Sequence, residues 1–140
     1  MKYLYILAIA SWLVCSTSSC HQVAYRKNEL NAVDIMKAIK SAQHTYKSTQ
    51  GAGKYGTLKE LAEAKLIKPE LSNGKYSGYL YNIRVTENSF TAVAIPERYG
   101  ENFESRSGGV SLFLDETGVI RFGYKNGKEA TINDPPLPNQ

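Results

Sequence analysis

Residues 28–50, NELNAVDIMKAIKSAQHTYKSTQ, decide how the rest of this chain must fold. Ala32, Val33, Ile35, Met36, Ile39, Ala42 and Tyr46 recur at three- and four-residue intervals, which places them on one side of a helix. Asp34, Lys37, Ser41, His44 and Ser48 fall on the other side. The spacing predicts one long amphipathic helix stopped by Gly51. An apolar stripe of that length is stable only when covered, and the short β-type runs downstream are the cover the chain offers.

Working outward toward the C-terminus, residues 51–56 read GAGKYG, which matches the G-x-G-x-x-G string of dinucleotide-binding loops. That motif works between a strand and the helix it opens, whereas here it follows a helix, so these glycines are read as a helix stop and a turn. Thr57 and Glu60 have capping-box spacing and predict a short helix from Leu58 to about Ala64, with Pro69 preventing its continuation. Four strands are predicted next, over residues 79–85, 90–95, 110–114 and 119–124. Ala92 and Ala94 share a face with Phe90 and would let a helix approach closely. Gly118 suits a left-handed turn position between the last two strands. Residues 134–138, DPPLP, cannot donate a regular ladder and read as an extended strap or a frayed end. The predicted class is α+β: a long N-terminal helix packed on a four-stranded antiparallel meander, plus one short helix.

Toward the N-terminus the composition changes. Lys2 is followed by a largely apolar run over residues 3–15 and then by the small polar run 16–19. A membrane-spanning helix needs roughly 20 apolar residues, so this shorter run reads as a secretory signal peptide over residues 1–19. The two cysteines are Cys15 and Cys20. Ser18, Ser19 and Cys20 resemble a bacterial lipoprotein signal, although Thr17 stands where that family prefers Leu. The resemblance implies lipidation at Cys20, a tether over residues 20–27, a domain over residues 28–140, and an exported protein held at the periplasm or outer membrane. The alternative reading is ordinary cleavage near Ser18 or Ser19, which gives a secreted protein, or retention of the leader as an anchor. The formal charge of +4 becomes 4 − 1 = +3 once Lys2 is removed, too mild to specify a nucleic-acid surface.

A second resemblance covers nearly all of the chain after residue 27. Residues 28–33 (NELNAV), Ala42-Gln43 and Tyr46, then Tyr55-Gly56-Thr57-Leu58, Gly78-Tyr79 and Ala94-Ile95-Pro96 carry it. So do Tyr99-Gly100, residues 115–121 (DETGVIR) and Asp134-Pro135. In order and spacing these resemble the soluble part of type IV pilin-like and type II secretion pseudopilin-like proteins. The resemblance implies a long helix on an antiparallel sheet and a structural or protein-interaction role beside other envelope, secretion or pilus proteins. The chain departs from that family where residues 3–15 contain no Glu and the first glycine is Gly51, so the prepilin cleavage signature is missing.

Candidate chemistry is sparse. His44 falls on the polar helix face without convergent ligands, and His21 lies in the tether. Residues 97–109 form the longest loop and the candidate interaction surface, with Glu97, Arg98, Tyr99, Glu101, Phe103, Glu104 and Arg106 as its candidate residues. Its acids lack the alternating pattern of a calcium loop. Arg26, Lys27, Lys37, Lys40 and Lys47 are diluted by Glu29 and Asp34, so nucleic acid is not expected as a partner. Tyr79, Tyr81, Phe90, Phe113, Phe122 and Tyr124 read as packing residues. The sequence predicts a non-enzymatic protein with no cofactor and no metal. A minor pseudopilin-like accessory of a pilus or type II secretion system is the second reading, and a small-ligand binder or hydrolase using the 97–109 loop the third.

Overall fold

The structure is a computed structural model that describes residues 17–100 and 106–138, with side chains from residue 22 onward. Helix α1 runs Thr17–Ser48, followed by α2 (Leu58–Glu63) and a 3-10 turn (Pro69–Asn73). Five strands follow: β1 (Lys75–Tyr76), β2 (Tyr79–Val85), β3 (Phe90–Pro96), β4 (Ser111–Asp115) and β5 (Arg121–Gly123). They form one sheet in the order β1-β2-β3-β4-β5, every neighbouring pair antiparallel.

The α+β class and the meander stand; the strand count does not. The sheet has five strands rather than four, because Lys75 and Tyr76 fold back on Leu80 and Tyr79 across the two-residue turn Ser77-Gly78. Both turn residues have positive φ, 48° and 76°, the geometry that matches the twist of paired strands. The last strand is shorter than the predicted 119–124, and β3 extends through Pro96. Residues 22–27 of the predicted tether are helical and continuous with the rest of α1.

α1 lies across β3 and β4, and its stripe is the centre of the core. Ala32, Ile35, Met36, Ile39 and Ala42 are buried against Ala92, Ala94, Leu112 and Leu114, with Val33 and Tyr46 half-buried beside them. Each large apolar side chain so covered contributes roughly 1.5–3 kcal/mol. Ala92 and Ala94 have no exposed surface, as expected of small residues under a closely packed helix. α2 carries the predicted capping box: Thr57 Oγ1 accepts the Glu60 N–H at 3.3 Å, and Glu60 Oε2 accepts the Thr57 N–H at 2.7 Å.

β4 is buried on both faces, which alternation alone does not predict. The segment after β5 folds over the outer face, where Ala130 packs on Val93 and Phe113 in a second small core. Ser111 Oγ donates to the Lys128 carbonyl at 2.6 Å, and Arg84 forms a two-pronged ion pair with Glu129. Tyr124 is the exception among the predicted packing aromatics. It is 75% exposed, because β5 ends at Gly123 and the chain turns away at Asn126-Gly127.

Candidate functional site

The 97–109 loop is built outward from its two ends. Glu97 N–H donates to the Gly78 carbonyl at 2.9 Å, and Lys75 Nζ pairs with Glu97 Oε1 at 2.5 Å. Arg98 and Ser107 then close the loop on itself. Ser107 N–H donates to the Arg98 carbonyl at 3.0 Å, and Ser107 Oγ accepts the Arg98 N–H at 2.9 Å. Arg106 Nε donates to the Gly100 carbonyl at 2.6 Å while its guanidinium sits 4.5 Å over the Tyr99 ring. Tyr99 in turn donates its hydroxyl to Asn126 Oδ1 at 2.8 Å, reaching the turn after β5. Glu101, Phe103 and Glu104 lie outside the described residues.

The loop is also fastened to α1. Asn28 Nδ2 donates to the Ser107 carbonyl at 3.0 Å, and Glu29 Oε1 accepts the Gly109 N–H at 2.9 Å. Asn31 Nδ2 donates to Ser77 Oγ at 2.9 Å, tying in the β1–β2 turn. Two glycines give this clasp its room. A Cβ on Gly108 would collide with the Tyr79 hydroxyl, and one on Gly109 with the Tyr25 hydroxyl. Tyr79 uses that space to donate to the Val110 carbonyl at 2.9 Å. Burial, reinforced by the neighbouring Glu29, pushes the Tyr25 hydroxyl up to about 12 and raises Tyr79 as well.

The candidate loop residues are thus brought together, but largely as a tie. Glu97, Tyr99 and Arg106 are engaged with the chain's own groups, and the Arg98 side chain is exposed. Sequence reasoning missed Asn28, Glu29 and Asn31 as the residues that hold it. Their partners lie 46 to 80 residues away in the chain, beyond the reach of any local pattern.

His44 is exposed and lines a separate open cleft of about 500 Å³ between the C-terminal half of α1 and the β4–β5 turn. Tyr55 and Phe90 are part of its lining, their ring centroids 4.9 Å apart. Lys47 Nζ lies 4.3 Å over Tyr55, and Asp115 Oδ1 accepts the Thr117 N–H at 3.0 Å to shape the turn. Lys47 and Asp115 are thus engaged with the chain's own groups. Among the described residues no group of three or more His, Cys, Asp or Glu is placed to hold a metal ion, and no helix is long and apolar enough to cross a membrane.

Comparison with family models, curated proteins and solved structures finds no match.

Proposed function

We propose that this chain is a non-enzymatic, pilin-like protein of the cell envelope, exported and lipid-anchored at Cys20, that acts as a structural or protein-interaction module. The observation that carries this reading is the length of α1 relative to the sheet. The first buried of its described side chains is Ala32, although the helix begins at Thr17. From Cys20 to Ala24, before the clasp of Tyr25 to Asn31 begins, five residues rise about 7.5 Å at 1.5 Å each and separate the anchor from the α+β head. Cys20 lies in the first turn of α1.

The interaction surface in this reading is the exposed Arg98 and its neighbours at the base of the 97–109 loop, which the Arg98–Ser107 closure and the α1 clasp fasten to the scaffold. Fatty-acid labelling of cells expressing the full chain tests the anchor. Label and globomycin sensitivity are expected in the native chain and are both lost in Cys20→Ala. Processing and labelling unchanged by that substitution would remove the anchor from the reading.

A further inference from the structure

Cys20, Val23, Lys27 and Leu30 follow one another at intervals of three, four and three residues, which puts the four positions on one side of α1. That side is turned away from the sheet. The buried Ala32 and Ile39 stand nine residues, about two and a half helical turns, beyond Val23 and Leu30, so they point inward where those two point outward. Val23 and Leu30 are accordingly 67% exposed each, and Arg26 and Lys27 between them are exposed as well.

In the sequence Glu29 dilutes these two cations; in the fold it does not. Its carboxylate is directed at the Gly109 N–H, 2.9 Å away, as part of the clasp to the sheet side. From Gln22 to Leu30 the outward face therefore carries two positive charges, no negative one, and two aliphatic side chains that flank them. Asp34, the next exposed acid, comes one turn beyond Leu30 and bounds the patch.

We propose that this outer face of α1 is a docking surface for a lipid bilayer with anionic headgroups, on which the helix lies lengthwise. The inference rests on the anchor at Cys20. An acyl chain at that position starts from the same side of the helix as Val23, about 4.5 Å before it along the axis, and brings this face to the lipid before any other. An anchor alone leaves orientation free. Val23 and Leu30 entering the acyl boundary, with Arg26 and Lys27 laying their stems along it and holding their charged ends at the phosphates, fix it.

A local probe in the full chain tests this in vesicles. Trp12 is the one tryptophan, so a Trp12→Phe background makes the indole introduced by Leu30→Trp the sole reporter. In vesicles of equal parts phosphatidylglycerol and phosphatidylcholine its emission is expected to move to the blue and to fall several-fold when the acyl chains are brominated. The same probe introduced by Glu87→Trp, in the exposed turn between β2 and β3, should respond to neither. Arg26→Glu combined with Lys27→Glu, or vesicles of phosphatidylcholine alone, should return the indole at position 30 to water-like emission. Absent quenching at position 30, equal quenching at positions 30 and 87, or quenching that survives either change overturns the proposal. A blue-shifted but unquenched indole at position 30 overturns it in favour of a protein cover. The mass of the processed N-terminal peptide reads the anchor separately: an acylated chain with an unquenched indole sinks the docking and spares the anchor, whereas charge-dependent quenching without an acyl mass keeps the docking and removes the anchor.

Discussion

The two halves of α1 are held by different forces. From Ala32 to Ala42 the helix is fixed by area: five side chains, none more than 6% exposed, pressed on β3 and β4. From Tyr25 to Asn31 it is fixed by direction, through amide, carboxylate and hydroxyl groups matched to the 107–109 backbone and the β1–β2 turn. Burial without direction tolerates small shifts, whereas a polar clasp holds only at one registration. The apolar half therefore supplies stability, and the polar half sets where the 97–109 loop sits.

Gln43 is the one place where the apolar half borrows the other strategy, and it supports the largest expected effect. Its side chain is 1% exposed; Nε2 donates to the Gly56 carbonyl at 2.6 Å and Oε1 accepts the Gly56 N–H at 2.9 Å. Gln43→Leu keeps the volume and strands both backbone groups in the interior, at roughly 1–3 kcal/mol each, so a global loss of about 2–6 kcal/mol is expected. Urea unfolding should show the midpoint fall with the slope unchanged. A loss under about 1 kcal/mol would mean that this end of the helix depends on area alone.

A smaller and more local effect is expected at the clasp. Gly109→Ala drives a methyl into the Tyr25 hydroxyl, and overpacking of this kind costs about 1–3 kcal/mol where it cannot be relieved. Here the loop can lift away from α1. Faster amide exchange at Ser107 and Gly109 should therefore accompany a global midpoint that moves less than in Gln43→Leu. Adding Tyr25→Phe removes the colliding oxygen and leaves the new Cβ 3.0 Å from the ring carbon behind it, so protection should largely return. A midpoint shift as large as that of Gln43→Leu would erase the distinction between the halves.

The same division explains what could be read in advance. The stripe from Ala32 to Ala42 repeats with the helical period, and Thr57 and Glu60 sit three apart, so both were legible from neighbours in sequence. Residues 79–85 alternate and residues 90–95 shrink in step with the face they bury, so both strands were legible, and the structure pairs them with Val85 opposite Phe90. A two-residue strand such as β1 has no period to detect, and burial of Phe113 on the outer face depends on Ala130 arriving from seventeen residues later. The clasp was illegible for a sharper reason. Asn28, Glu29 and Gln43 satisfy backbone groups, and a backbone carbonyl or N–H carries no mark in the sequence.

Alkaline pH separates the halves without a mutation. Burial first, and then Glu29, holds the Tyr25 hydroxyl neutral up to about 12, whereas an unfolded tyrosine ionises near 10. A folded value raised above the unfolded one means that the clasp keeps its full stability below about pH 10, loses it progressively as pH rises, and has lost this contribution beyond about 12. The buried stripe from Ala32 to Ala42 has no group that titrates. Between those limits the amide and ring signals of Gly109 and Tyr25 should shift in NMR spectra while the methyl signals of Ile35 and Ile39 stay in place. The shift at Gly109 should shrink in Tyr25→Phe, because that ring no longer ionises. Simultaneous movement of both sets at one pH would show α1 held as a single unit, and the loop's position would then follow from the core rather than from the clasp.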